Sequence, residues 1–282
     1  MQIGDKVGIV CCSNGQPVDN REKIIQLQET LKSIGLIPVL SKHIYQNDSV
    51  FCGTAKERAE SLMKFYQDSE IKAIFDISGG DLANEILELL DYDQIAATDK
   101  MFWGYSDLTT IINAIYAKTG KSSVLYQVRN VVYHHKEEQL YNFRESIIHE
   151  KNNLWEFPYR FVQGEQMEGI VIGGNIRCLL KLAGTEYWPD MTDKILLLEA
   201  YSGKIPQMVT FLNQLKQIGV FRKVQGILLG TFTQMEKEEC SPDIVQLVKQ
   251  YVGNEIPIVK TQKIGHGTDA KGIIIGEYKK WC

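Results

Sequence analysis

The chain has 282 residues, of which 44% are hydrophobic and 23% charged, with a formal net charge of -4. That is enough apolar material for one large domain or two medium ones. The slightly acidic balance gives no sign of the basic face that nucleic-acid binders carry, and no apolar run reaches the ~18–20 residues of a membrane span. The start, Met1-Gln-Ile-Gly-Asp5, has no basic stretch followed by an apolar one, so a cytoplasmic protein without a signal peptide is expected. The six cysteines, Cys11, Cys12, Cys52, Cys178, Cys240 and Cys282, include no C-x-x-C pair. Free thiols are expected, with no zinc site and no redox motif.

Short apolar runs alternate with helical patterns from the first residues. Val7–Cys11 reads as a buried strand. Glu22–Ile34 places Ile24, Leu27, Leu31 and Ile34 on one helical face, and Gly35 follows as a stop. Ile37–Leu40 reads as a strand, Thr54–Tyr66 as a helix and Ile71–Phe75 as a strand. Gly79-Gly80 then breaks the chain before a helix over Ala83–Leu90. Met101–Trp103 is the next strand, followed by a helix from about Asp107. This alternation predicts an α/β first domain built on a parallel sheet.

From His134 to Phe161 the chain becomes charged, then irregular, and reads as a connection with a helix of its own. Apolar runs return at Ile170–Ile172, Ile195–Leu198, Gly226–Leu229, Ile256–Val259 and Gly272–Ile275, so the second domain looks richer in strands. Ser241-Pro242 suits a helix start. The expected division is 1–150 for the first domain, 151–165 for a linker and 166–282 for the second.

The sharpest chemical signal is Phe102-Trp-Gly-Tyr-Ser106-Asp107, an apolar strand running straight into a serine and a helix. Leu108, Ile111, Ile112 and Ile115 give that helix its apolar face. A serine there is held out from the backbone beside free helix N–H groups, which meets the needs of an acyl-transfer nucleophile. Leu108 stands where a G-x-S-x-G elbow would have its last glycine, which disfavours an ordinary α/β-hydrolase. The simpler role for Ser106 or Asp107 is a helix cap.

A serine nucleophile needs a base, and there are five histidines. His43, His134, His135 and His149 fall in polar or charged segments. His266 stands between two glycines just after an apolar run, exposed and approachable. Glu199 ends the run Ile195–Leu198, and a carboxylate at the mouth of a buried strand needs a partner such as an imidazole or a salt-bridging cation. Ser78-Gly79-Gly80-Asp81 sits at another strand-to-helix turn, where a glycine N–H could face the pocket of Ser106. Gly173-Gly174-Asn175 opens a helix and reads as structural. The chain has neither G-x-G-x-x-G nor a P-loop, which argues against a nucleotide-binding protein.

With these residues in place, the chain resembles the LD-carboxypeptidase family of serine peptidases over nearly its whole length. That group includes murein tetrapeptide carboxypeptidases and the immunity peptidases that inactivate microcin C. The resemblance is carried by Gly79-Gly80-Asp81 with Asn84-Glu-Ile86, by Lys100–Thr109, by Ala117–Gly120 and by Gly173–Asn175. It continues through Gly184–Asp190, Lys194–Glu199 and Gly265-His266. It implies a catalytic triad of Ser106, His266 and Glu199, and an oxyanion hole from the N–H of Asp107 and of Gly79 or Gly80. It also implies a C-terminal domain resembling a β-barrel, an active site at the domain interface, no metal or cofactor, and a homodimer.

The expected substrate is a murein tetrapeptide losing its terminal D-Ala during cell-wall recycling. An aminoacyl-adenylate amide and a non-catalytic cleft binder are the alternatives. Two stretches depart from the family pattern, Ala200-Tyr-Ser-Gly203 after Glu199 and Ala270-Lys-Gly-Ile-Ile274 after His266. Both border the expected pocket and bear on substrate preference.

Overall fold

A computed structural model describes residues 1–282. Its first sheet is built from β1 (Lys6–Val10), β2 (Ile37–Leu40), β3 (Ile71–Asp76), β4 (Met101–Gly104) and β5 (Ser123–Leu125), all parallel. The second holds β6 (Arg160–Gln163), β7 (Met167–Asn175), β8 (Lys194–Ala200), β9 (Gly226–Phe232) and β10 (Ile258–Lys260). There β7 to β10 run parallel and β6 closes one edge antiparallel. After β10 the chain returns to the first sheet as β11 (Ile273–Ile275), antiparallel to β5. It ends as β12 (Tyr278–Trp281) against β7 of the second. The strand orders are β11-β5-β4-β3-β1-β2 and β12-β7-β8-β9-β10-β6.

Continuous apolar runs such as Ile195–Leu198 and Ile227–Leu229 form the central parallel strands because both sheet faces are covered. The second sheet curls into a half-barrel whose edge strands each pair with one neighbour, so it stays open. One apolar cluster draws on both sheets, with Val10, Ile74 and Leu108 packed among residues that include Val171, Leu197 and Val259. The two halves therefore share a core.

Several elements differ from the sequence expectation. Ala83–Leu89 is a 3-10 helix and not an α-helix. Ser241-Pro242 precedes the helix Ile244–Val252, but Asp243 caps it by accepting from the Gln246 N–H. The segment 151–165, expected as a linker, contains β6. No helix is long and apolar enough to cross a membrane.

This topology puts the candidate residues on one front. Ser13 follows β1, Ser78 follows β3 and Ser106 follows β4, while Glu199 lies near the end of β8. Carboxyl ends of parallel strands are where α/β sheets form their crevices. His266 lies on the loop from β10 to β11, a segment anchored in the second sheet at one end and the first at the other.

Candidate active site

Ser106 begins a single 3-10 turn, Ser106–Leu108, that leads into the helix Thr109–Thr119. Its φ of 59° is left-handed, which costs a non-glycine residue about 1–2 kcal/mol. The surroundings hold it there. The Leu108 N–H donates to the Tyr105 carbonyl at 3.1 Å, and Thr110 Oγ1 donates to the Asp107 carbonyl at 2.8 Å.

His266 Nε2 lies 3.2 Å from Ser106 Oγ, and its Nδ1 lies 2.8 Å from Glu199 Oε2. The second contact is close but lacks hydrogen-bond alignment, a common state for such pairs without substrate. Glu199 is fully buried, and its Oε1 accepts from Asn175 Nδ2 at 2.9 Å. The imidazole sits between Tyr105 and Tyr201, each with its ring centroid 4.9 Å away. Burial and the Glu199 carboxylate push the Tyr105 phenol well above its usual range, so it stays protonated.

Two close approaches fix these groups, one within the second half and one between the halves. A Cβ on Gly265 would collide with the Thr231 side chain, so glycine lets the His266 loop lie against β9. There the Thr231 N–H donates to the Ile264 carbonyl at 2.7 Å. Gly174 has φ 138°, and a Cβ on it would fall 2.7 Å from Thr109 Oγ1. Beside it the Asn175 N–H donates to Thr109 Oγ1 at 3.0 Å. Asn113 accepts from the Gly173 N–H at 2.8 Å and donates to its carbonyl at 2.9 Å. The helix that follows Ser106 is thus bonded to the strand that ends beside Glu199.

The Asp107 N–H stands in the first turn of the helical segment, where amides lack intrahelical partners. The Asp107 carboxylate is fully buried and anchored from three sides. Lys181 Nζ donates to Oδ1 at 2.6 Å, while Ser13 Oγ and the Ala83 N–H donate to Oδ2 at 2.6 and 2.9 Å. Gly79 pairs with Asn14 in an antiparallel bridge, where the Asn14 N–H donates to the Gly79 carbonyl at 3.1 Å. Gly79 borders the cavity; at Gly80, φ 115°, the Asn14 side chain leaves no room for a Cβ, and the Gly80 carbonyl accepts from Arg177 Nη2 at 3.3 Å. Below this turn, Asp76 is buried and accepts from the Cys12 and Ser78 amides at 2.8 and 2.7 Å. Burial raises its carboxyl above the ordinary value despite these bonds.

A cavity of about 210 Å³ opens beside Ser106 and His266, with Gly79, Tyr105, Arg129 and Tyr133 among its walls. The other histidines do not line this cavity. His43 contacts the Cys52 carbonyl, His149 lies near Glu145, and His134 stacks edge-on against His135, which reaches Thr268. The sequence reading singled out Ser106, Glu199 and His266, but missed the side-chain roles of Asn175, Asp107, Lys181 and Arg129. The sequence alone reads Gly173-Gly174-Asn175 as structural, whereas the Asn175 side chain bonds Glu199. Nothing in the local sequence marks Lys181 or Arg129.

Comparison with known proteins adds to this geometry. Residues 7–126 match the LD-carboxypeptidase N-terminal domain and residues 168–280 its C-terminal domain. The microcin C7 self-immunity protein MccF of Escherichia coli is 28% identical over 262 residues, covering 82% of this chain and 76% of that one. A Bacillus subtilis protein described as a probable murein peptide carboxypeptidase is 28% identical over 284 residues, covering 97% and 87%. A solved structure of the self-immunity protein superposes with a TM-score of 0.87 at 24% identity, covering 99% of this chain and 93% of that one.

Proposed function

Since the chain belongs to the LD-carboxypeptidase family of serine peptidases, we propose that it releases terminal D-Ala from murein tetrapeptides by cutting an L,D-peptide bond, with Ser106, His266 and Glu199 as its triad. The observation that carries this assignment is the 3.2 Å approach of His266 Nε2 to the hydroxyl of a backbone-strained Ser106. His266 takes the Ser106 proton as Oγ attacks the carbonyl carbon of the diamino acid. Glu199 holds the imidazole by Nδ1 and stabilises its charged form. The Asp107 N–H and the Gly79 or Gly80 N–H receive the oxyanion, each donor contributing about 3 kcal/mol in comparable sites. His266 then protonates the departing D-Ala nitrogen as the C–N bond breaks, and water releases the acyl group by the reverse relay.

The cavity volume of about 210 Å³ is below the ~300–1,000 Å³ of sites that engulf drug-sized ligands. It suits clasping the end of a chain. Cell-wall recycling would place the protein in the cytoplasm, and family resemblance favours a homodimer.

The similarity to the E. coli self-immunity protein supports a second substrate class, aminoacyl-adenylate amides. The two are separated by mass spectrometry of each substrate after incubation with the enzyme. The proposal expects loss of one D-Ala from L-Ala-γ-D-Glu-L-Lys-D-Ala or its diaminopimelate form, with the L-Ala-terminated diastereomer left intact. Cleavage of the aminoacyl-adenylate amide alone would reassign the substrate. Failure of Ser106 to react with any serine-directed acylating probe would favour a non-catalytic binder.

A further inference from the structure

Arg129 borders the same cavity as Ser106 and His266, and it is the one permanently charged side chain among the cavity's walls. It has no carboxylate partner. Its Nη1 donates to Gln16 Oε1 at 2.8 Å. Gln16 is itself buried, and its Nε2 donates to the Ile77 carbonyl at 2.6 Å. The guanidinium is thereby tied to the end of β3, next to the Ser78-Gly79 turn. The Tyr133 ring lies 5.8 Å from its central carbon. The rest of the group is unused: Nε is buried without a hydrogen-bond partner, and Nη1 alone carries a side-chain bond.

With Nε enclosed and Nη1 bonded to Gln16, Nη2 is the nitrogen left without a partner. A guanidinium N–H donates a strong charge-assisted hydrogen bond to a carboxylate. Arg129 is half-buried and has no anion beside it, so a carboxylate entering the cavity would be its first ionic partner. An exopeptidase substrate carries a carboxylate one residue beyond the bond to be cut, and Arg129 and Ser106 share one small cavity.

We infer that Arg129 binds the terminal carboxylate of the substrate and so makes the enzyme cut only at a free C-terminus. This rests on the proposed carboxypeptidase function. It adds that specificity for the acid is set by one guanidinium on the first domain.

The test compares kcat/KM for the tetrapeptide acid and its C-terminal carboxamide in the wild type, Arg129→Met and Arg129→Lys. Melting curves confirm that the variants fold. The wild type should prefer the acid by at least about 100-fold, as expected where a site built for polar contacts meets an analogue lacking them. In Arg129→Met that ratio should fall towards about 1, chiefly through KM for the acid, with Arg129→Lys in between because it keeps the charge but not the planar guanidinium held by Gln16. An undiminished preference in Arg129→Met overturns the assignment.

A second measurement separates this from failure of the peptidase function itself. Free D-alanine should slow phosphonylation of wild-type Ser106 by a fluorophosphonate, in which Oγ displaces fluoride from phosphorus; D-alaninamide should not, and Arg129→Met should lose the D-alanine effect. Equal protection in both proteins, or none in the wild type, overturns the role of Arg129 whether or not the tetrapeptide is cleaved.

Discussion

Glu199 Oε1 accepts a 2.9 Å hydrogen bond from Asn175 Nδ2, while Oε2 faces His266. The same Asn175 caps the helix Ile176–Leu180 by accepting from the Cys178 N–H at 3.3 Å. One fully buried carboxylate is therefore fixed by a residue that also sets the start of a helix.

Asn175→Ala should leave Oε1 without a partner in a site closed to water. Loss of a supporting residue of this kind lowers turnover by about 10–100-fold, by analogy with the outer partners of metal ligands. Asn175→Asp should lower it further, because a second carboxylate would face Glu199. Steady-state kinetics with a melting curve for each variant checks both; turnover within twofold of wild type in Asn175→Ala would remove Asn175 from the account.

Lys181 and Asp107 join the two halves at 2.6 Å, with Asp107 fully buried and Lys181 at 18% exposure. Lys181→Met leaves Asp107 with its two neutral donors but no cation. Stability should fall by about 2–3 kcal/mol, below the range for a wholly enclosed pair because Lys181 keeps some solvent. Urea unfolding measures this. Activity should fall as well, since Asp107 directly follows Ser106, the proposed nucleophile.

Strain at Ser106 separates two inactive variants. Ser106→Ala keeps a Cβ at φ 59°, whereas Ser106→Gly relieves it. After the extra unfolded-state freedom of glycine, the Gly variant should be more stable by roughly 0.5–1 kcal/mol. Denaturant midpoints of the two proteins give the comparison.

Gly265→Ala should push the His266 loop off Thr231. A displacement of the order of 1 Å in a catalytic group can cost about 100-fold in rate, so kcat should collapse while the protein still folds with a lowered Tm.

The cysteines report the burial of both halves. Burial pushes the Cys52 thiol up to about 11, and Cys11, Cys12 and Cys178 are also raised by burial. At pH 8 a thiol near 11 is only ~0.1% thiolate. Iodoacetamide should therefore label exposed Cys282 first and Cys240 more slowly, with the other four reacting only after denaturation. Counting labels by intact mass settles the order.

Much of this was legible in the sequence because it is written in local pattern. Val7–Cys11 and Ile195–Leu198 announce buried strands by apolar continuity, Ile37–Leu40 reads as a strand and forms the sheet's half-exposed edge, and Ser106 is marked by a strand running directly into a helix. What lay beyond reach depends on pairings distant in the chain. The return of Ile273–Ile275 to β5 has no local signature, yet it suspends the His266 loop between the sheets. Lys181 reads as one more helix lysine until the fold brings it to Asp107, 74 residues away. Arg129 likewise gains meaning only from Gln16, 113 residues earlier. The start at Ser241-Pro242 failed for a simpler reason: Asp243 has Gln246 three residues on and completes a capping box.

The most direct test of the central claim is mass spectrometry of the murein tetrapeptide incubated with wild type and with Ser106→Ala. We predict loss of a single D-Ala with the wild type and an intact peptide with Ser106→Ala, whose fold is unchanged by circular dichroism. D-Ala release by both proteins at comparable rates would contradict Ser106 as the nucleophile.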